Sequence, residues 1–273
     1  MKYIDAGPSP AGWSRLSNVL KCPRYYALNR EHDRTASDAL VRGSLMHIAL
    51  AHHYAAIGAE QHGARVDYLS PEAAVERCVA EANCELHDKW KDNVIGVYHQ
   101  YAMMYPTPSW RIQAVEEIVS TKVRDDVRDV SYDYTARIDL IVAHHGKHYF
   151  VDHKTSFMIL RKTYNKYTLS GQFLGQQMMG REMFGDDFGG VILNLIGWDD
   201  KKPVSSFKRK VLPYAEKSVA LFPDTVIMGE RMIADFSGRD AFHWPGAHRE
   251  TACQTTYGPC SFFETCKRGG HYE

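Results

Sequence analysis

The sequence is short of the features that fix a protein's class at a glance. It holds no long apolar run: the stretch Val191–Ile196 is interrupted by Asn194 and falls far short of the roughly 20 residues that a helical membrane crossing takes. A charged-then-apolar leader is also lacking, so a soluble, cytoplasmic chain with no membrane partner is expected. Net charge is missing as well, since 33 Lys and Arg balance 33 Asp and Glu. With no global positive field, any polyanion site must be a local patch. Internal repeats and low-complexity tracts are absent, which excludes solenoids and fibrous arrays. None of the six cysteines forms a C-x2-C pair. In a chain of this kind they read as reduced thiols or metal ligands rather than a disulfide framework. At 273 residues the chain can bury a substantial core, as one large domain or two small ones.

What is present centres on residues 134–156, Tyr-Thr-Ala-Arg-Ile-Asp-Leu-Ile-Val-Ala-His-His-Gly-Lys-His-Tyr-Phe-Val-Asp-His-Lys-Thr-Ser. Two apolar runs, Ile138–Ala143 and Tyr149–Val151, flank His145-Gly146, the composition of a tight β-hairpin turn. Whether the loop has two residues or the four from His144 to Lys147, the register sets Asp139 opposite Asp152. Like charges about 5 Å apart across a strand pair are destabilising. Leu140, Ile141, Phe150 and Val151 surround them, so the pair needs a shared proton or a cation. Alternation along the strand puts Lys154 on the face of Asp152 and turns His153 away. A surface ion pair between Asp152 and Lys154 is the plainer reading, and the apolar neighbours argue against it. Two acids and a lysine so placed suit metal-assisted phosphodiester hydrolysis. Carboxylates hold Mg²⁺ or Mn²⁺, the ion polarises the phosphate and acidifies a water, and the ammonium orients that water or stabilises developing charge.

Ahead of the hairpin, Pro23 puts a bend at Cys22, and Tyr25 and Tyr26 open the next helix. Helical spacing runs from Ser37 to Ala59 and carries Arg42-Gly43-Ser44-Leu45-Met46-His47. Ser70-Pro71-Glu72 supplies an N-cap, a first-turn proline and a first-turn acid for a helix running to Trp90. On it, Cys78 and Cys84 read as packing residues. A further helix covers Val94–Tyr105, so residues 44–108 read as a helical insertion or lid, with Tyr98, Tyr101 and Tyr105 as candidate base-stacking rings, although tyrosines so placed are more often core residues. Strands begin at Trp110–Val123 and include Glu116, a possible second-metal or outer acid. Lys122–Asp129 reads as a solvated turn. Later come a helix from Ser170 to Phe184 with Gln172, Gln176 and Gln177, and a hairpin of Val191–Trp198 with Ser205–Leu212 around 199–203. A last long helix spans Tyr214–Phe236. Lys208, Arg209 and Lys210 form a basic stripe that reads as a solvated edge rather than a phosphate track.

Residues 253–266 hold Cys253, Cys260 and Cys266 with aromatics between them, and Cys22 makes a fourth. Zinc sites more often use two close pairs, so this three-plus-one spacing fits an iron-sulfur cluster better, with zinc as the alternative. Its expected job is structural, tying the two ends of the chain together.

One cysteine before the acid motifs and three after them resembles the RecB/AddB-like iron-sulfur branch of the PD-(D/E)XK nuclease superfamily, which includes CRISPR-associated exonucleases and phage relatives. Gly43-x-x-x-His47 looks like that branch's upstream motif, Arg137-Ile138-Asp139 its second, Asp152-His153-Lys154 its third, and Gln172 the start of its Q-x-x-x-Y motif. Two positions depart from the pattern: Gln176 stands at the tyrosine place, and Ala136 where a glycine often precedes the Ile-Asp pair. The resemblance implies a single nuclease domain of α/β class, with a central mixed β-sheet flanked by helices over residues 110–236. It implies a 4Fe-4S cluster on Cys22, Cys253, Cys260 and Cys266, and Mg²⁺ or Mn²⁺ on His47, Asp139, Asp152 and the carbonyl of His153. Asp139, Asp152, Lys154 and Gln172 would be catalytic, with Gln172 orienting Lys154 or a phosphate oxygen. The implied activity is exonucleolytic cutting of single-stranded or frayed DNA ends, and the implied partners are DNA and recombination or CRISPR adaptation proteins. The competing expectation is a weakly active or inactive iron-sulfur module that binds DNA or a partner in a DNA-capture assembly.

Overall fold

A computed structural model describes residues 9–31, 37–63, 68–82, 84–106, 109–157, 159, 161–198, 205–213, 215–247, 250–255 and 258–268. Helices α1 (Trp13–Lys21) and α2 (Pro23–Glu31) are separated by one extended residue, Cys22, because Pro23 bars its predecessor from helical backbone. Helix α3 (Asp38–His62) starts at Ser37, whose hydroxyl accepts from the Leu40 amide. It stops at Gly63, whose φ of 59° favours a residue without Cβ. Next come α4 (Pro71–Ala82) and α5 (Glu85–Met104). The single helix expected to reach Trp90 is therefore two, with Cys84 in extended backbone as the N-cap of the second.

The chain continues as β1 (Arg111–Asp125), β2 (Val130–His144), β3 (Lys147–Ser156), α6 (Arg161–Thr168), α7 (Gly171–Phe184), β4 (Phe188–Gly197) and β5 (Ser206–Val211). The long final helix of the sequence reading divides at Leu221 into α8 (Glu216–Ala220) and α9 (Phe222–Phe236). Pro223 can sit in the first turn of a helix but cannot continue one. Four short elements close the chain: α10 (Glu250–Cys253), β6 (Gln254–Thr255), β7 (Gly258–Pro259) and α11 (Phe263–Lys267). The expected turn at 199–203, and the boundary residues Pro108 and Tyr214, lie outside the described residues.

Two compact units divide the chain. The first comprises the described residues of Ala36–Val119 and Ala136–Ala220, and the second those of Ser9–Thr35, Ser120–Thr135 and Leu221–Glu273. The larger sheet has strand order β1-β2-β3-β4-β5. Strands β2 and β3 are antiparallel, and their ladder runs to His144 opposite Lys147, leaving a two-residue loop. His145 and Gly146 both have positive φ, 48° and 75°, the turn whose twist matches a hairpin. Strands β3 and β4 are parallel, a pairing that requires a crossover, and α6 and α7 supply it. Strand β5 returns antiparallel to β4. The sheet is thus mixed and flanked by helices, in agreement with the expected fold class.

Helices α3, α4 and α5 of the first unit bury Leu45, Leu50, Val75, Val94 and Val97 against Leu140, Val142, Val151, Ile192 and Ile196 of the sheet. Each such side chain removed from water contributes about 1.5–3 kcal/mol. Tyr98 and Tyr101 belong to this core at 7% and 0% exposure, which corrects their reading as base-stacking rings. In the second unit, α1 packs on α2 and α9, and Arg15 pairs with Glu230. Asp125, at the end of β1, accepts from the amides of Val127 and Arg128 at 3.1 and 3.2 Å and from Arg231 Nε at 2.6 Å. The Arg231 hydrogen bond is the main reason its carboxyl is held down at about 2. Lys122 to Asp125 of the stretch expected as a solvated turn therefore extend β1, and the turn proper, 126–129, is anchored by Asp125 at the end of the strand.

Candidate active site

Four elements of the first unit converge on one polar centre. Strand β2 brings Asp139 one residue beyond its last ladder pair, Leu140 opposite Val151. Strand β3 brings Asp152 and Lys154, α3 brings His47, and β1 brings Glu116. Gly43 lies one helical turn before His47, and a Cβ there would meet Thr155 Oγ1 of β3 at 3.3 Å. The glycine lets α3 run close to the strand that carries the acids, which is the local reason for the Gly-x-x-x-His spacing.

The two aspartates are adjacent, yet each has its own partners. Asp139 Oδ2 accepts from the backbone N–H of His153 at 2.6 Å and lies 3.5 Å from His47 Nδ1. Asp152 Oδ1 contacts Lys154 Nζ at 2.6 Å, while its Oδ2 accepts from Gln172 Nε2 at 2.6 Å and Gln176 Nε2 at 3.1 Å. Gln172 therefore holds Asp152 rather than Lys154. Gln176, four residues on and on the same face of α7, grips the same oxygen. The shared proton or cation expected of the pair is supplied in part by the Lys154 ammonium, and the amide donors of His153, Gln172 and Gln176 share the load.

Glu116 completes the centre. One ligand atom each from His47, Glu116 and Asp139 lie within 4.8 Å of one another. Glu116 has φ of 51° inside a strand, a backbone angle that costs a non-glycine residue energy and often marks a functional site. Burial first, and Asp139 second, push its carboxyl up to about 8; Arg137, whose Nε is 3.9 Å away, opposes the shift. Burial likewise raises Asp139, with His47 opposing and Asp152 adding to the effect. Burial works against the charge of Lys154, but Asp152 and Asp139 outweigh it, so its pKa stands above the usual lysine value and the side chain is an ammonium. One nitrogen and two carboxylate oxygens on one side, with an acid-bound ammonium on the other, form a donor set for a hard divalent cation.

His153 turns away from the acids, as alternation requires, and enters a second network. Its Nδ1 is 2.7 Å from Asn194 Nδ2, which also reaches Tyr101 Oη at 2.9 Å. Tyr54 Oη and Tyr101 Oη are 2.7 Å apart, and Arg209 Nη2 donates to both at 2.7 and 2.8 Å. His153, Asn194 and Arg209 sit side by side on β3, β4 and β5. Burial holds the imidazole well below its usual pKa, with His47 and Arg209 adding to the effect, so it is neutral. Arg209, which reads in sequence as part of a solvated basic edge, is thus half-buried and turned to the inner face, 3.5 Å from the centroid of Tyr105.

In the second unit Cys22, Cys253, Cys260 and Cys266 line one recess of about 230 Å³, with Arg24, Tyr25 and Phe262. The amides of Tyr25 and Ala247 approach Cys22 Sγ at 3.5 and 3.3 Å. No three cysteine sulfurs lie within 4.8 Å of one another among the described residues. Burial raises the Cys260 thiol, with Cys22 and Cys266 adding to the shift. Cys78 and Cys84 fall elsewhere, on α4 and at the N-cap of α5.

Glu116, in sequence a possible second-metal or outer acid, stands beside His47 and Asp139. Sequence reasoning gave no role to Asn194, a polar residue inside an apolar strand run, and that interruption was the available signal.

No curated protein matches the sequence. A solved structure described as "Crystal structure of SSO0001" is similar at 13% identity with a TM-score of 0.32, covering 79% of this chain and 82% of that chain. The family model for the PD-(D/E)XK nuclease superfamily matches residues 11–182, a span that contains His47, Glu116, Asp139, Asp152, Lys154 and Gln172. With well over half of its length matched, the chain belongs to the PD-(D/E)XK nuclease superfamily.

Proposed function

We propose that the protein is a divalent-metal-dependent DNA nuclease that cuts single strands or frayed ends from their termini. The observation that carries this reading is the convergence of His47, Glu116 and Asp139 beside the Asp152–Lys154 pair. His47, Glu116 and Asp139 would hold Mg²⁺ or Mn²⁺, with Asp152 as the adjoining acid and the carbonyl of His153 as a further candidate ligand. A bound ion supplies charge for the scissile phosphate and a more acidic water.

The chain's own groups do the rest. The ammonium of Lys154, fixed by Asp152, donates toward the attacking water or the developing negative charge; an already protonated lysine is poorly suited to accept the water's proton. Gln172 and Gln176 hold Asp152 in one rotamer, and the His153 amide does the same for Asp139. The buried sheet beneath keeps these groups rigid, which is what a fixed electrostatic site needs. End-labelled single-stranded DNA incubated with Mn²⁺ or Mg²⁺ should be shortened from an end. Asp152→Ala should lose about a hundredfold or more in rate while keeping its melting temperature within a few degrees. Cleavage unchanged in the variant would reject the assignment.

The four-cysteine recess would hold a 4Fe-4S cluster in a structural role. Four thiols and two amides directed at sulfur fit such a group. Protein purified without oxygen should be brown; colourless protein carrying zinc would overturn the cluster.

A further inference from the structure

The register of the sheet carries the acid face of β3 outward to an exposed edge. Asp152 is paired with Leu193 of β4, and Leu193 with Lys210 of β5; Lys154 is paired with Leu195, and Leu195 with Lys208. Paired residues share a face, so Lys208 and Lys210 stand on the same side of the sheet as the acid and the ammonium, two strand spacings or about 10 Å away. Both lysines are exposed, and β5 is the edge strand. Arg209 between them points to the other face and is held by Tyr54 and Tyr101.

Helix α6 lies alongside. Lys210 Nζ is 5.2 Å from the centroid of the half-buried Tyr164 ring, and Lys166 Nζ is 4.7 Å from that of Tyr167. Tyr167 in turn meets Phe173, over which Lys154 Nζ sits at 5.7 Å. Neither α6 nor β5 contains an acidic residue, in a chain whose total charge is zero. Phe157, three residues past Lys154, is 59% exposed. Positive charge interleaved with aromatic rings is the surface that tracks a single strand, whose phosphates need cations and whose unpaired bases need flat apolar partners.

We propose that β5 and α6 form a ledge, with Lys208, Lys210 and Lys166 contacting phosphates and Phe157 and Tyr164 stacking bases, along which single-stranded DNA runs to the acidic centre. The ledge rests on the nuclease reading for its purpose, though not for its binding.

The test uses the full chain and a fluorescein-labelled thymidine oligonucleotide, with anisotropy measured in EDTA over a salt series and cleavage measured separately in Mn²⁺. Lys208→Ala/Lys210→Ala should weaken binding about tenfold at moderate salt and lower the salt slope by about 1.4, the loss of two single-strand phosphate contacts. Lys89→Ala/Lys91→Ala on α5, which removes the same charge elsewhere, should bind and cut like the parent. Phe157→Ala should weaken binding without changing the salt slope, and a blunt duplex should bind less tightly than the oligonucleotide. Equal binding by the parent and the Lys208/Lys210 variant, or an equal effect from the α5 pair, would overturn the ledge. Duplex bound as tightly as the single strand would also overturn it. Ledge-dependent binding in a protein that cuts nothing in Mn²⁺ would instead remove the nuclease reading and leave the ledge standing.

Discussion

Glu116 is a carboxyl that keeps its proton up to about 8, on a left-handed backbone angle and beside a second buried acid. A cation held there must displace that proton, so Mn²⁺ affinity should rise with pH and level off above about 8. Glu116→Gln should bind Mn²⁺ more weakly and with a flatter pH dependence, measurable by calorimetric titration at several pH values; a steep rise that survives the substitution would place the titrating group elsewhere. The same shift acts on stability. Because the folded pKa lies above the ordinary value of 4.5, the contribution of this group is present in full below about 4.5 and lost as pH rises toward about 8. Metal-free protein should therefore lose part of its melting temperature across that window, and Mn²⁺ should restore more of it at pH 8 than at pH 6. Lys154→Met should leave Mn²⁺ binding largely in place and slow cleavage about a hundredfold, separating the ammonium's role from that of the ligands.

Elements explain why those residues meet. The hairpin was legible in sequence because His145-Gly146 admits one register, and that register put Asp139 and Asp152 side by side. The Gly43-x-x-x-His47 spacing was legible as a motif, and its cause appears only when α3 is seen against Thr155. Glu116 was not legible as a close neighbour, since its approach depends on a positive φ inside β1, which a glutamate gives no reason to expect. The breaks at Cys84 and Leu221 are not legible from periodicity: Cys84 takes extended backbone, while Leu221 keeps near-helical angles and the next helix starts after it with Pro223 in its first turn. The row of His153, Asn194 and Arg209 was hidden for a similar reason: three residues on three strands become neighbours only through register. Asn194→Ala should leave the His153 imidazole and the Tyr101 hydroxyl short of a buried partner and cost about 1–3 kcal/mol in urea unfolding. Stability equal to the parent would show that water replaces the amide without loss.

At the scale of the whole molecule, the chain divides its chemistry between two compact units: acids, histidine and lysine in one, and four cysteines lining a recess in the other. No described helix is long and apolar enough to cross a membrane. Composition foretold that any polyanion site would be local. The site proposed above draws on α6 and β5, far apart in sequence, and only the fold brings Lys210 over Tyr164. The proposed 4Fe-4S cluster predicts that Cys253→Ser abolishes the brown colour of protein purified without oxygen and lowers its melting temperature. Unchanged colour would remove that residue from the cluster.

The central claim is that His47, Glu116 and Asp139 hold the ion on which cleavage depends. Single-turnover cutting of an end-labelled DNA strand, followed in Mn²⁺ and in EDTA for the parent and for Asp139→Asn, tests it most directly. The parent should cut in Mn²⁺ and stop in EDTA, and Asp139→Asn, folded by circular dichroism, should be slower by about a hundredfold or more and bind Mn²⁺ weakly. Cutting that persists in EDTA, or an Asp139→Asn variant that cuts at the parental rate, would contradict the account.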